Sequence, residues 1–220
     1  MKSFRTRWAL PALVAAALCA APAAAQHQHG HSHAPPPASA GTAVDSTLPY
    51  NERYLWTQAD AHFMTSMIGH HAQAVEMGRL APGRAAGNAI RILAERIINA
   101  QQDEIATMQT WLRDRGLPVP EADASSHAGH GELMPGMLTP EQMARLQAAS
   151  GGEFDQLFLT LMIQHHRGAV SMVSQLFGTP GAGQDETVFK FASDVNVDQT
   201  TEINRMQRML ANLVFGGVAP

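Results

Sequence analysis

The 220-residue chain has a single cysteine, Cys19, and it lies in a stretch that reads as a removable leader. The rest of the chain therefore has no thiol, which excludes disulfides and thiolate metal sites from it. Long apolar runs are also scarce. After residues 8–21 there is no stretch of about 18 apolar residues, so the mature chain is expected to carry no transmembrane segment. Three motifs of common chemistries are missing as well. There is no Gly-rich phosphate loop and no His-Glu-x-x-His of a zinc protease. The Glu-x-x-His of carboxylate-bridged di-iron bundles is absent too, because Glu104 is followed three residues on by Thr107 and Glu202 by Arg205. No catalytic residue can be named from spacing. Basic residues are outnumbered, 15 Lys and Arg against 19 Asp and Glu for a net charge of -4. That balance argues against a nucleic-acid partner.

The first residues have the build of an export signal. Lys2, Arg5 and Arg7 precede the apolar run, and Ala23, Ala24 and Ala25 offer small residues for cleavage. Residues 1–25 are thus expected to be a signal peptide, and the mature chain to be periplasmic or secreted. A lipoprotein signal would need a small residue before Cys19, where Leu18 stands. Cleavage removes three basic and no acidic residues, moving the net charge from -4 to -7. Residues 26–48 follow as a low-complexity segment in which His27, His29, His31 and His33 alternate with other residues ahead of three prolines. Such a composition cannot bury a core and is expected to be disordered. It reads either as a metal collector or as a plain soluble tail.

What the chain does have is an internal repeat. Residues 60–77 align with 155–172 without gaps, and ten of these eighteen positions are identical. They include Asp60/Asp155, Phe63/Phe158, Met67/Met162, His70/His165, His71/His166 and Met77/Met172. A second block pairs Gln101/Gln199, Glu104/Glu202, Ile105/Ile203 and Met108/Met206 at an offset three residues larger. The extra residues fall in the turn between the blocks, so each repeat is helix, turn, helix. The apolar spacing is helical in all four segments. Residues 81–83 and 178–181 carry the turn signals. Thr139-Pro140-Glu141-Gln142 reads as a capped helix start. The expected organisation is a first hairpin over 49–117, a linker loop over 118–138, and a short helix plus second hairpin over 139–215. Two hairpins with one apolar face each bury those faces best against one another, which makes an all-α four-helix bundle.

Successive helical residues are about 100° apart, so His70 and His71 straddle the apolar face instead of both pointing at its centre. Met67 lies one turn before His71 and Met77 two turns beyond His70. Met162, His165, His166 and Met172 repeat the arrangement. Glu104 and Gln101, with Glu202 and Gln199, fall on inward positions of the second helices and need partners there. Two readings fit. In one, the histidines hydrogen-bond buried Glu or Gln and the methionines fill the core, giving a scaffold or partner-binding module without metal. In the other, some of these side chains bind a metal ion. The donors are then imidazole and thioether, with Glu104 and Glu202 for a harder ion. Outside the cytoplasm that set leans to copper, Cu(I) before other transition metals.

The paired motif Phe-x-x-x-Met-Ile-x-His-His-x-x-Ala-Val-x-Met, followed by Gln-x-x-Glu-Ile-x-x-Met, resembles the bacterial domain-of-unknown-function family numbered three hundred and five. The resemblance covers about residues 51–214. It implies a ferritin-like four-helix bundle of two hairpins, an exported protein, and a link to copper binding and tolerance known for some members. The motif positions carried over are Met67, His70, His71 and Met77, and Met162, His165, His166 and Met172. It implies no reaction. The expectation is an exported copper-binding protein for buffering, sequestration or tolerance. A metal-dependent oxidoreductase and a metal-free scaffold remain as alternatives.

Overall fold

A computed structural model describes residues 56–123 and 133–216. The expected signal peptide and the His/Pro-rich segment lie outside the described residues. Helix α1 spans Gln58–Arg79 and starts at a capping box. The Thr57 hydroxyl accepts from Asp60 N, and the Asp60 carboxylate accepts from Thr57 N. Each satisfies a backbone donor that the first turn leaves free. The expected turn at 81–83 is instead a single helical turn, α2 (Ala81–Arg84). Pro82 sits in its first turn, where a missing N–H costs nothing. Helix α3 covers Asn88–Asp114. Helix α4 (Pro140–Ala148) begins where the sequence marks it, with Thr139 and Gln142 in a second capping box. Helices α5 (Gly151–Gly178) and α6 (Glu186–Phe215) complete the set. No strand occurs among the described residues; one isolated bridge joins Ala85 and Gly151. No helix of the described residues is long and apolar enough to cross a membrane.

The four long helices pair as two hairpins, α1 with α3 and α5 with α6, and α1 packs on α5. The aspartates that open the repeated motif set the direction of that packing. Asp60, at the start of α1, accepts from Gly183 N in the turn of the second hairpin, at 2.7 Å. Asp155, near the start of α5, accepts from Ala86 N and Gly87 N at the turn of the first, at 3.2 and 2.8 Å. Each hairpin thus grips the other's turn, and α1 and α5 run antiparallel about an approximate two-fold axis. Asp155 also faces the N-terminal end of α3, where a negative charge is favoured.

The apolar residues form two clusters that follow the same symmetry. Met77 and Met162 belong to one, with Leu93, Ile97, Phe154, Phe158 and Met206. Met67 and Met172 belong to the other, with Phe63, Ile105, Met108, Trp111 and Val195. The repeated histidines lie between them in sequence on both central helices.

Candidate metal centre

His70, His71, His165 and His166 are all fully buried, at 0% exposure. Because neighbouring helical positions diverge, each pair splits between two partners. His70 and His165 face each other across the α1–α5 interface, with ring centroids 3.9 Å apart. His71 turns to α3, where its Nε2 lies 2.7 Å from Glu104 Oε2. His166 turns to α6, with Nε2 2.6 Å from Glu202 Oε2. The His166 contact has hydrogen-bond alignment; the His71 contact has the distance without the alignment. His70 Nε2 is 3.0 Å from the Pro135 carbonyl oxygen.

Carbonyl and ionised carboxylate oxygens only accept. Nε2 of His70 and of His166 therefore carries a proton, and the neutral His70 ring is left with a bare lone pair on Nδ1. The Nδ1 atoms of His70, His71 and His166 are buried without a hydrogen-bond partner, and so are both ring nitrogens of His165. Burial, then the charges His71 and His166 would carry if protonated, lowers His70 from 6.5 to about 3 against the pull of the Pro135 carbonyl. Burial, followed by His70 and its neighbours, holds His165 well below the usual histidine range, against the pull of the His70 backbone carbonyl, which lies near the ring without hydrogen-bond alignment. Both rings are neutral at physiological pH, the form that binds a metal. An imidazole held by an acceptor at one nitrogen and free at the other is also the arrangement a metal-ligating histidine requires.

One side of this layer is closed by the linker. Residues 134–138 lie across α1 and α5 as a strap. Besides the His70 contact, Gln73 donates to Leu138 O and accepts from Leu138 N. Gln164 donates to Gly136 O at 3.3 Å. The strap backbone meets α5 at Gly168, where a Cβ would stand 1.9 Å from Pro135 O, so only glycine admits it there. Gly136 adopts φ 78°, open to glycine at little cost.

The opposite side is a groove of about 250 Å³ between α3 and α6, lined by Gln101, Glu104, Asp198, Gln199 and Glu202 among others. Partial desolvation and the carboxylates of Glu104, Asp194 and Glu202 push Asp198 up from the usual carboxylate range, against the pull of Lys190.

Of the residues singled out in the sequence, the fold brings His70 to His165, His71 to Glu104 and His166 to Glu202. Met67, Met77, Met162 and Met172 are buried in the two apolar clusters that flank them. Among the described residues, no three His, Asp or Glu side chains converge as a metal site. Sequence reasoning did not find the strap, Gln73 or Gly168. Their signal lay in the mismatches between the repeats, where Gln73 pairs with Gly168 and Gly69 with Gln164.

The model of the family described as Domain of unknown function (DUF305) matches residues 60–210. Solved structures similar to this chain include a DUF305 protein of Streptomyces coelicolor described as secreted. It is 32% identical, with a TM-score of 0.61 over 70% of this chain and 93% of that one. A DUF305 fragment from Deinococcus radiodurans is 29% identical, with a TM-score of 0.61 over 71% and 98%. CopM in a Cu(II)-bound form is 31% identical, with a TM-score of 0.57 over 70% and 96%. CopM is also solved in Cu(I)-bound and Ag-bound forms. No curated protein matches the chain.

Proposed function

The chain belongs to the DUF305 family, and from that premise we propose that it is an exported copper-binding protein acting in buffering, sequestration or tolerance. The observation that carries the reading is the set of buried imidazole nitrogens without partners. A buried polar group left unpaired costs about 1–3 kcal/mol, and a soft or borderline cation relieves that cost for several of them at once. The His70 and His165 rings are neutral, the chain beyond Cys19 has no thiol, and Met67, Met77, Met162 and Met172 supply thioethers on both sides. These donors suit Cu(I), with Cu(II) and other transition metals accepted by the imidazoles. CopM, solved with Cu(II), Cu(I) and Ag, supports the same choice. His165, whose ring nitrogens make no aligned hydrogen bond, and His70 would hold the ion first. His71 and His166 would join through Nδ1, while Glu104 and Glu202 orient them. Export rests on the leader-like N-terminus and on the relative described as secreted.

A competition titration with a Cu(I) chelator tests the reading, on wild type and on a folded His70→Gln/His165→Gln variant. The wild type should bind, and the variant should lose at least tenfold in affinity. Bound copper should also stabilise the fold, by about 2.7 kcal/mol when free metal is 100 times the dissociation constant. A wild type that binds neither Cu(I) nor Cu(II) would sink the proposal. A second reading, a metal-free scaffold, draws on the two His–Glu pairs, which partner His71 and His166 without any ion.

A further inference from the structure

We infer that the groove between α3 and α6 is the cation entry port of the histidine layer. The carboxylates of Glu104, Asp198 and Glu202 draw a cation in, and the side-chain amides of Gln101 and Gln199 receive it beneath them. The inference rests on the metal-binding reading and adds the route to it.

The strap is the first argument. On that side of the layer, the Pro135 carbonyl covers His70 Nε2 and backbone presses on backbone at Gly168. Of two grooves bordering the strap, one is lined by Arg167 and by no carboxylate, so its charge repels cations, and the other, beside Met134 and Pro135, has no carboxylate to attract them. Across the bundle the charge is reversed. Glu104 and Glu202 line the α3–α6 groove and also reach the buried rings, Glu104 at His71 and Glu202 at His166. They are the polar link between solvent and the layer. Asp198 stands exposed at the mouth, and Arg96 is the one cation among the residues lining this groove.

The amides are the second and independent argument. Gln101 and Gln199 are 1% and 3% exposed and line the same groove. Both amide atoms of Gln101 and the Oε1 of Gln199 have no hydrogen-bond partner. Buried amides in a purely structural role find partners. A carboxamide oxygen binds a partly dehydrated cation more weakly than imidazole binds a soft one. Placed between carboxylates and histidines, it can hold an ion and release it inward. Gln101 recurs as Gln199 and Glu104 as Glu202, so both walls carry the amide and the inner carboxylate, while Asp198, whose counterpart is Ala100, adds its charge to one wall only.

The test is the rate of Ag(I) loading, followed by rapid mixing and quenching into a chromophoric chelator. Full-length wild type is compared with Asp198→Asn, Asp198→Lys and Gln101→Leu. Removing or reversing the charge at Asp198 should slow association by about 3- to 10-fold at low ionic strength, and the difference should vanish near 1 M salt. Equilibrium affinity should stay within about twofold, since Asp198 steers the ion without ligating it. Gln101→Leu should slow loading at every salt concentration and raise the melting temperature of the metal-free protein, because it removes an unpartnered amide. Unchanged loading rates in a wild type and variants that all bind Ag(I) would overturn the port while leaving the metal-binding reading intact. A loss of affinity matching the loss of rate at Asp198 would make it a ligand, and would overturn the port equally. If wild type binds no Ag(I), the metal-binding reading fails and the port falls with it.

Discussion

Substituting Gly168 by alanine sets two opposed effects against each other at one atom. Gly168 lies inside α5, and replacing a mid-helix glycine by alanine ordinarily stabilises by about 1 kcal/mol. Here the new Cβ would stand 1.9 Å from Pro135 O, 2.4 Å from Pro135 C and 2.6 Å from Gly136 Cα. All three are backbone atoms, so no side chain can swing aside. Restoring van der Waals contact moves the strap by roughly 1.5 Å or more. A shift of that size takes the His70–Pro135 contact at 3.0 Å and the Gln73–Leu138 bonds at 3.1 and 2.7 Å out of hydrogen-bonding range. Three bonds at about 1 kcal/mol each outweigh the helical gain. The expected net loss is about 2 kcal/mol, or roughly 4–8 °C in melting temperature for a domain of this size. Urea and thermal unfolding of the metal-free protein measure it. Gly152→Ala is the control: it is also helical, and a Cβ there meets nothing within 4 Å, so it should be neutral or slightly stabilising. If Gly168→Ala is as stable as wild type, the strap does not hold the histidine layer in the way described.

Acid should destabilise the metal-free protein early. His70 and His165 stay neutral in the fold but take up protons near 6.5 when unfolded. Stability should therefore be flat above about pH 6.5 and fall as pH drops toward 3, by at most about 1.4 kcal/mol per unit for each ring. Urea midpoints between pH 8 and 5 would show it, and a midpoint unchanged down to pH 5 would contradict the buried neutral pair. Asp155→Ala removes two charge-assisted bonds to the turn before α3 and should cost about 2–4 kcal/mol. Asp60→Ala should cost a similar amount through Gly183 N and the capping box. Thermal melts check both, and a loss under 1 kcal/mol in either would mean that the hairpins do not depend on gripping each other's turns.

The parts of this molecule legible in its sequence are those written locally. The four long helices follow from apolar spacing, and the starts of α1 and α4 coincide with capping boxes whose members are three residues apart. The His–Glu partners were legible too, because an inward carboxylate needs a partner and the repeat offered a histidine twice. What the methionines pack against was not. Met67 and His71 share a helix face, yet what a side chain meets is decided by the helix opposite, and Met67 lies in the apolar cluster with Met108 and Met172. The strap was hidden for a related reason. Its contacts with His70 and Gln73 span 65 residues of sequence, and the linker has no periodicity to reveal them.

The repeat does hold a trace of the strap. A single segment lying across a two-fold axis cannot present the same atoms to both halves. The helix positions beneath it therefore cannot be alike. Where α1 has Gln73 reaching up to Leu138, α5 has Gly168 making room for Pro135. Where α5 has Gln164 donating to Gly136 O, α1 has Gly69. No described segment crosses the α3–α6 groove, and there the inner residues are the same in both halves, Gln101 with Gln199 and Glu104 with Glu202, while outer ones differ, Arg96 with Asp194 and Ala100 with Asp198. Divergence beneath the strap and identity of the inner residues on the other face thus have one cause. The layer is symmetric, its cover is not, and the face left uncovered is the one whose inner polar side chains, the glutamines and glutamates, match in both halves.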